Sequence, residues 1–457
     1  MAGAADSFDV VIIGGGPAGS VAATLLADAG HRVAVFERER FPRYHIGESL
    51  LSATLPILDA IGATPLIERH GFLRKPGGTF LWGRQEEPWS FWFREDPGGR
   101  PHAYQVVRAE FDTILLDNAR AHGAAVHEEH SVTAVGDDGG LPVVDVCATD
   151  GATRRLRPRF VVDASGQSAL IGRARDLRRF DEFFKNLAVF GYWRDAERLP
   201  GELANHILSA AFADGWFWYI PLHDGTMSVG AVVDVRRWAS LAADNPEATY
   251  RDLIARSEEI TRRLSNATLV SPIRIIRDYS YTSTTFTGPG FLMAGDAACF
   301  IDPVFSTGVH LASLAGYLGA QAVDDILAGR VAEEEARGRY EAAYRAAFDR
   351  YLRFLYFFYD HHVDRDSYFW TARRILSHAP ADLTMREAFV RLMSGAGDWD
   401  ATETKLAREH ERWTEGIRTG RASAVPGLDL IRVRSTTHLT GLPANPTPQN
   451  PARRARG

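Results

Sequence analysis

Apolar positions in this chain fall into short blocks whose spacing changes along its length. The first block, "FDVVIIGGGPAGSVAATLLADAGHRVAVFERE" from Phe8, predicts an apolar strand, a glycine turn, a helix of small residues and a second strand ending in an acid. "VVDASGQSALIG" (161–172) repeats strand and glycine turn. "GPGFLMAGDAACFIDPVFSTGVHLASLAGYLGAQAV" then gives a short strand, Gly295-Asp296, a turn and a helix starting near Gly308. An amphipathic helix is predicted after Arg108, within 106–124. "GWFWYIP" (215–221) reads as an extended segment, with Trp216 and Trp218 on one face and Phe217 and Tyr219 on the other. By itself it is a reasonable buried core strand. Beyond residue 330 an acidic, alanine-rich helix turns aromatic, with Tyr351, Phe354, Tyr356, Phe357 and Tyr359 leaving few polar positions. Such a helix is expected to be buried and to cap a cavity. Residues 380–395 predict one more helix, and 441–457 a disordered tail.

Composition narrows the class. With 457 residues, 45% hydrophobic and 24% charged, the chain is an ordinary globular one, long enough for two or more structural units. The expected division is a core over 1–330, a mainly helical region over 331–440 and the tail. A net charge of −6 gives no footprint for bulk binding to nucleic acid or anionic membrane. Cys147 and Cys299 are too far apart in sequence to suggest a disulfide framework or thiolate metal site, so a cytoplasmic location is expected. The start of the chain lacks a basic region followed by an apolar run, and no apolar stretch reaches the ~20 residues of a spanning helix. No metal is expected: the adjacent His361 and His362 would diverge by about 100° on a helix.

The first glycine turn carries chemistry. Gly14, Gly16 and Gly19 stand at G-x-G-x-x-G spacing, suited to a tight turn, close approach of a pyrophosphate and close helix packing. A diphosphate would sit on the helix N-terminus, and Glu37 would accept from a ribose hydroxyl. Downstream, Asp296 is placed to bind a ribityl hydroxyl, and the second helix N-terminus to face a flavin ring edge. In the order of these three segments the chain resembles the FAD-dependent monooxygenase superfamily over roughly residues 8–325. The resemblance implies FAD on an α/β, Rossmann-like module of the glutathione-reductase and p-hydroxybenzoate hydroxylase type. An inserted β-sheet substrate region and a helical C-terminal region complete the expected fold.

Within that superfamily, W-x-W-x-I-P at Trp216, Trp218, Ile220 and Pro221 resembles the flavin-dependent halogenases. The indoles there lie beside the flavin and keep the organic substrate off it, so that a small halide reacts first. "FLRKPGGTFLWG" (72–83) resembles the family's lysine segment and puts Lys75 in the relay position. Its ammonium can donate to hypohalous acid, or its amine can become a haloamine, and partial burial would lower its pKa. "FPRYHIGESLL" (41–51) also matches. The resemblance implies a flavin site of Gly14, Gly16, Pro17, Ala18, Gly19, Glu37, Arg43, His45, Gly47, Ser49, Arg108, Asp296, Pro303, Gly308 and Val309. His45 is read as a packed, hydrogen-bonded residue rather than a base. Halide is expected on the backbone at Thr307 and Gly308. Where enzymes acting on free tryptophan carry a glutamate before Ser-Thr-Gly, this chain has Phe305. That favours an activated ring, a phenol or pyrrole, tethered to an acyl or peptidyl carrier protein. Basic docking segments are sought at 154–160 and 416–434.

One G-x-G-x-x-G implies reduced FAD from a separate reductase. The implied activity is FADH2- and O2-dependent halogenation, chlorination foremost, with chloride or bromide oxidised by a flavin hydroperoxide and passed as hypohalous acid to Lys75. The alternatives are an NAD(P)H-dependent aromatic hydroxylase that needs no halide, and a flavin-binding protein whose halogenation machinery is idle.

Overall fold

The computed structural model describes residues 7–395 except 85–86, 97–98, 242–244, 361–362 and 377–383. His361, His362, the 416–434 segment and the expected tail lie outside the described residues.

The opening block folds as read: β1 (Val10–Ile13), α1 (Pro17–Asp28) and β2 (Val33–Phe36). All eight strand residues are buried, the pattern of parallel strands covered on both faces. β1 pairs in parallel with β2 and with Phe160–Asp163, which pairs in parallel with Phe291–Met293. Ala125–His127 and Thr287–Gly288 complete a six-stranded sheet as its edges. Gly14 has φ +98°, and a Cβ on Gly19 would stand 2.0 Å from the Gly14 carbonyl oxygen, so both positions demand glycine.

A second sheet of nine strands is mostly antiparallel, built around the long strand Arg178–Arg194. Gly215–Pro221 lies inside it, between Ile207–Phe212 and Met227–Asp234. The predicted alternation holds: Trp216, Trp218 and Ile220 join the core shared with β1, whereas Phe217 and Tyr219 join a separate cluster under the helices at Pro246–Ala255 and Glu258–Arg263.

The helix read from Gly308 spans Gly308–Leu327, and that read after Arg108 spans Arg108–Ala121. C-terminal to residue 330 come Glu333–Phe358, Arg365–Ile375 and Met385–Ser394. Tyr351, Phe354 and Phe358 are buried, while Tyr356, Phe357 and Tyr359 pack partly buried against the same core as β1. Among the described residues no helix is long and apolar enough to cross a membrane.

Candidate active site

A cavity of about 650 Å³ lies between the two sheets. Ile13, Phe36, Ala164 and Ala294, at or just past the C-terminal ends of four of the five parallel strands, line one side, and Phe190, Trp216, Trp218 and Ile220 of the second sheet line the other. The carboxyl end of a parallel sheet is where such folds bind ligands. Of the residues expected in the site, all but Gly19, Lys75 and Thr307 line this cavity.

Glu37 is fixed by the turn it serves. Its Oε2 accepts from Gly15 N at 2.8 Å and its Oε1 from Glu39 N at 2.9 Å. Asp163, fully buried, accepts from Ser165 N and Ile171 N and so holds the second glycine turn beneath the cavity. Asp296 also lines the cavity, and burial pushes its carboxyl up to about 6. Ser49 Oγ faces the same cavity region, buried and without a hydrogen-bond partner among the described residues. A cavity lined by two helix N-termini, a glycine turn and a hydroxyl unsatisfied among the described residues fits FAD.

Arg108 binds Asp112 through two nitrogens, at 2.8 and 2.9 Å, and donates to Ile46 O at 2.6 Å. Arg43 adds a third contact to Asp112 at 2.8 Å. Burial opposes the Arg108 charge, but the Asp112 carboxylate outweighs it and the pKa is raised. Asp112, at the i+4 position of the helix, was not singled out by sequence; its spacing from Arg108 is the signal that was available. His45 departs from expectation. It hydrogen-bonds Ile46 O at 2.7 Å, yet it is exposed in the cavity wall instead of packed. Desolvation and the Arg108 charge hold its pKa down to about 4, so it is neutral at neutral pH. Glu48 was also missed. It lines the cavity, accepts from Tyr192 Oη at 2.7 Å, and burial lifts it to about 7.

Trp216 and Trp218 are 2% and 6% exposed, so they are core and cavity wall at once. Trp218 lies over Gly230, where a Cβ would come within 2.2 Å of its ring, and donates to Ser228 Oγ at 3.0 Å. Trp216 donates to Tyr359 Oη at 2.8 Å; that hydroxyl donates to Asp302 Oδ2 at 2.6 Å, which also accepts from Asn186. Asp302 caps the turn leading to Thr307 and Gly308 through Val304 N. Thr307 is buried with its hydroxyl unpartnered, and Gly308 opens its helix on the cavity. Among these, Tyr359 comes from 57 residues beyond Asp302 and carried no spacing signal.

Lys75 ends a short strand, Leu73–Lys75, and is 2% exposed, far more buried than expected. Its Nζ donates to Leu50 O at 2.9 Å, and among the described residues no carboxylate pairs with it. Burial pushes its pKa down to about 7. Leu50 follows Ser49, so Lys75 stands behind the 45–49 wall of the cavity instead of inside it.

Phe305 stacks on Phe354 with ring centroids 5.3 Å apart and meets Phe358 edge-on at 4.9 Å. The aromatic helix therefore fills the space around Phe305. In 154–160, Arg155 and Arg157 pair with Asp145 and Asp138, which neutralises two of the four arginines, while Arg159 donates to Leu327 O.

The family model for tryptophan halogenase matches residues 9–98 and 94–415. The chain belongs to the flavin-dependent halogenases. A tryptophan 2-halogenase of Chondromyces crocatus is 38% identical over 409 residues, 86% of this chain and 76% of that protein. The sulochrin halogenase gedL of Aspergillus terreus is 33% identical over 373 residues, 75% and 68% of the two chains. Among solved structures, the myxobacterial chondrochloren halogenase CndH is 40% identical, with 95% of this chain and 97% of that one covered and a TM-score of 0.75. The flavin-dependent halogenase CmlS is 35% identical, covering 95% of this chain and 78% of that one, with a TM-score of 0.73. The halogenase accordingly uses FAD, halide and O2. The hydroxylase and idle-protein readings fall with this membership.

Proposed function

We propose that this halogenase chlorinates an activated aromatic ring, a phenol or pyrrole, carried on an acyl or peptidyl carrier protein, with Lys75 as the relay. The observation that carries the relay is a buried lysine with a carbonyl partner and no paired acid. Reduced FAD, supplied by a separate reductase, gives with O2 the two-electron oxidation of halide to hypohalous acid. Everything else falls to the chain's own residues.

Thr307 and Gly308 offer halide a helix N-terminus, and Trp216 and Trp218 keep the ring away from the flavin. The Lys75 amine attacks the halogen of HOX: an N–X bond forms, the O–X bond breaks, and hydroxide leaves with the amine proton as water. The ring carbon then takes the halogen from N–X, the N–X electron pair returns to nitrogen, and the ring proton restores the amine. A neutral amine is needed for the first step, and a pKa near 7 supplies it.

Relatives named for tryptophan and for sulochrin match at comparable identity, so their names do not choose the substrate. Phe305, packed between Phe354 and Phe358, supports a ring that needs no carboxylate to activate the attacking species. A small ring brings at most about 1.5 kcal/mol per heavy atom, so tethering would supply the missing affinity and effective concentration. The test supplies reductase, NADH, O2 and chloride or bromide to the purified protein, with phenolyl and pyrrolyl thioesters on a carrier against the free acids. Product from the carrier-bound ring, preferring chloride and falling with salt, is expected; efficient, salt-insensitive turnover of free ring would remove the tethering claim.

A further inference from the structure

Outside the lining of the flavin cavity, three side chains distant in sequence converge. His70 ends the helix Thr64–His70, Glu110 lies in the first turn of Arg108–Ala121, and His223 follows the strand Gly215–Pro221. His70 Nε2 stands 2.7 Å from Glu110 Oε2, and His223 Nε2 stands 3.1 Å from the same oxygen. All three ligand atoms lie within 4.8 Å of one another. None of the three residues lines the flavin cavity.

We propose that His70, Glu110 and His223 form a site for a zinc-class divalent ion, distinct from the catalytic machinery. Both contacts are within hydrogen-bond range, and one carboxylate oxygen can accept two donors; the same arrangement also brings two imidazole nitrogens and a carboxylate oxygen to one point. Convergence on one point is what ligands about 2.0–2.2 Å from a common ion require, with modest outward rotation of each side chain. Two imidazoles and one carboxylate suit zinc, cobalt or nickel; calcium and magnesium take mostly oxygen ligands. The side chains are 31%, 39% and 20% exposed, which leaves room for water in the fourth position.

The rings are held ready. Phe72, buried, has its ring centroid 4.3 Å from that of His70 and 5.1 Å from that of His223, and rests in turn on Phe111. Little side-chain freedom is left to lose when the ion binds. A bound ion would clasp the turn after the Trp216 and Trp218 strand to the helix that begins with Arg108, stiffening two walls of the flavin cavity from outside.

The proposal does not depend on the substrate or on the relay. Full-length, FAD-loaded protein is dialysed against chelator and titrated with zinc chloride by calorimetry, with metal content measured after desalting. One zinc per chain is expected, with a rise in thermal midpoint. His223→Gln and Glu110→Gln should each weaken zinc by at least about 100-fold, beyond the 10–100-fold of an outer-shell partner, and lose the thermal shift while still binding FAD. Zinc bound equally by the variants, or no stoichiometric zinc in the wild type, overturns the site. Cobalt chloride gives a second measurement independent of the variants: intense visible bands of a four-coordinate ion, beyond the flavin absorption, are expected, and their absence overturns the proposal.

Discussion

Lys75 and Arg108 are both buried, 2% and 5% exposed, yet their surroundings push them in opposite directions. Arg108 meets Asp112 with two nitrogens and two backbone carbonyls with another, so its charge is locked in place beside the cavity. Lys75 has one carbonyl, and Phe93 with its ring centroid 5.4 Å away. Arginine keeps its proton in any protein environment, whereas burial readily takes one from lysine. The cation lining the cavity is therefore fixed, and the one behind it can discharge, as the proposed relay requires. The same desolvation is overcome by a paired acid in the first case and left unopposed in the second.

The largest effect that would break this contrast is at Lys75 itself. Lys75→Ala, and equally Lys75→Arg, should lower halogenation by about 10²-fold or more while leaving FAD binding and reoxidation of reduced flavin by O2 unchanged, as followed by product chromatography and flavin absorbance. Substantial product from either variant would take Lys75 out of the reaction.

The second test concerns stability. Asp112→Ala leaves the Arg108 charge buried without its partner and should cost about 3–5 kcal/mol in denaturant unfolding. Lys75→Met removes a buried charge and should cost no more than about 1 kcal/mol, the scale of its single hydrogen bond. Equal losses in the two variants would mean that both cations are structural.

The pH profile sharpens the difference. With Lys75 held near 7, its amine fraction at pH 6 is roughly a tenth of the plateau, so the single-turnover halogenation rate should fall about tenfold between pH 8 and 6. The stability linkage has a definite sign. Between about 7 and the ordinary lysine value the unfolded chain binds the proton that the folded chain lacks, so raising pH through that window strengthens folding. Below 7 both states are protonated and the folded state bears the full desolvation cost. A flat rate profile across pH 6–8 would contradict an amine relay.

The smallest expected effect is at Tyr359. Tyr359→Phe removes the hydroxyl that joins Trp216 to Asp302 and should cost about 1–3 kcal/mol, with a few-fold rise in halide KM and little change in kcat. A change confined to kcat would place Tyr359 in the chemical step instead of behind the halide turn.

Much of the flavin site was legible in sequence because it is made of backbone. Gly14, Gly16 and the N-termini at Pro17 and Gly308 offer turns and free N–H groups to the cavity, which local spacing specifies. The alternation at Trp216 and Trp218 was legible for a similar reason, since a period of two fixes the face. For His45 the motif named the neighbourhood and the hydrogen bond, and the fold decided that its ring faces the cavity.

By itself, then, the sequence determined the strand, turn and helix order, the family motifs and the residue types each position needed, because those follow from periods and spacings of a few residues. Only the tertiary structure decided that Lys75 is sealed off without an acid, that Phe305 is enclosed by Phe354 and Phe358, and that Tyr359 reaches Trp216 and Asp302. It also decided that His70, Glu110 and His223 meet. Each of these depends on segments tens to hundreds of residues apart being packed side by side. Desolvation and convergence belong to that packing, and no local pattern encodes them.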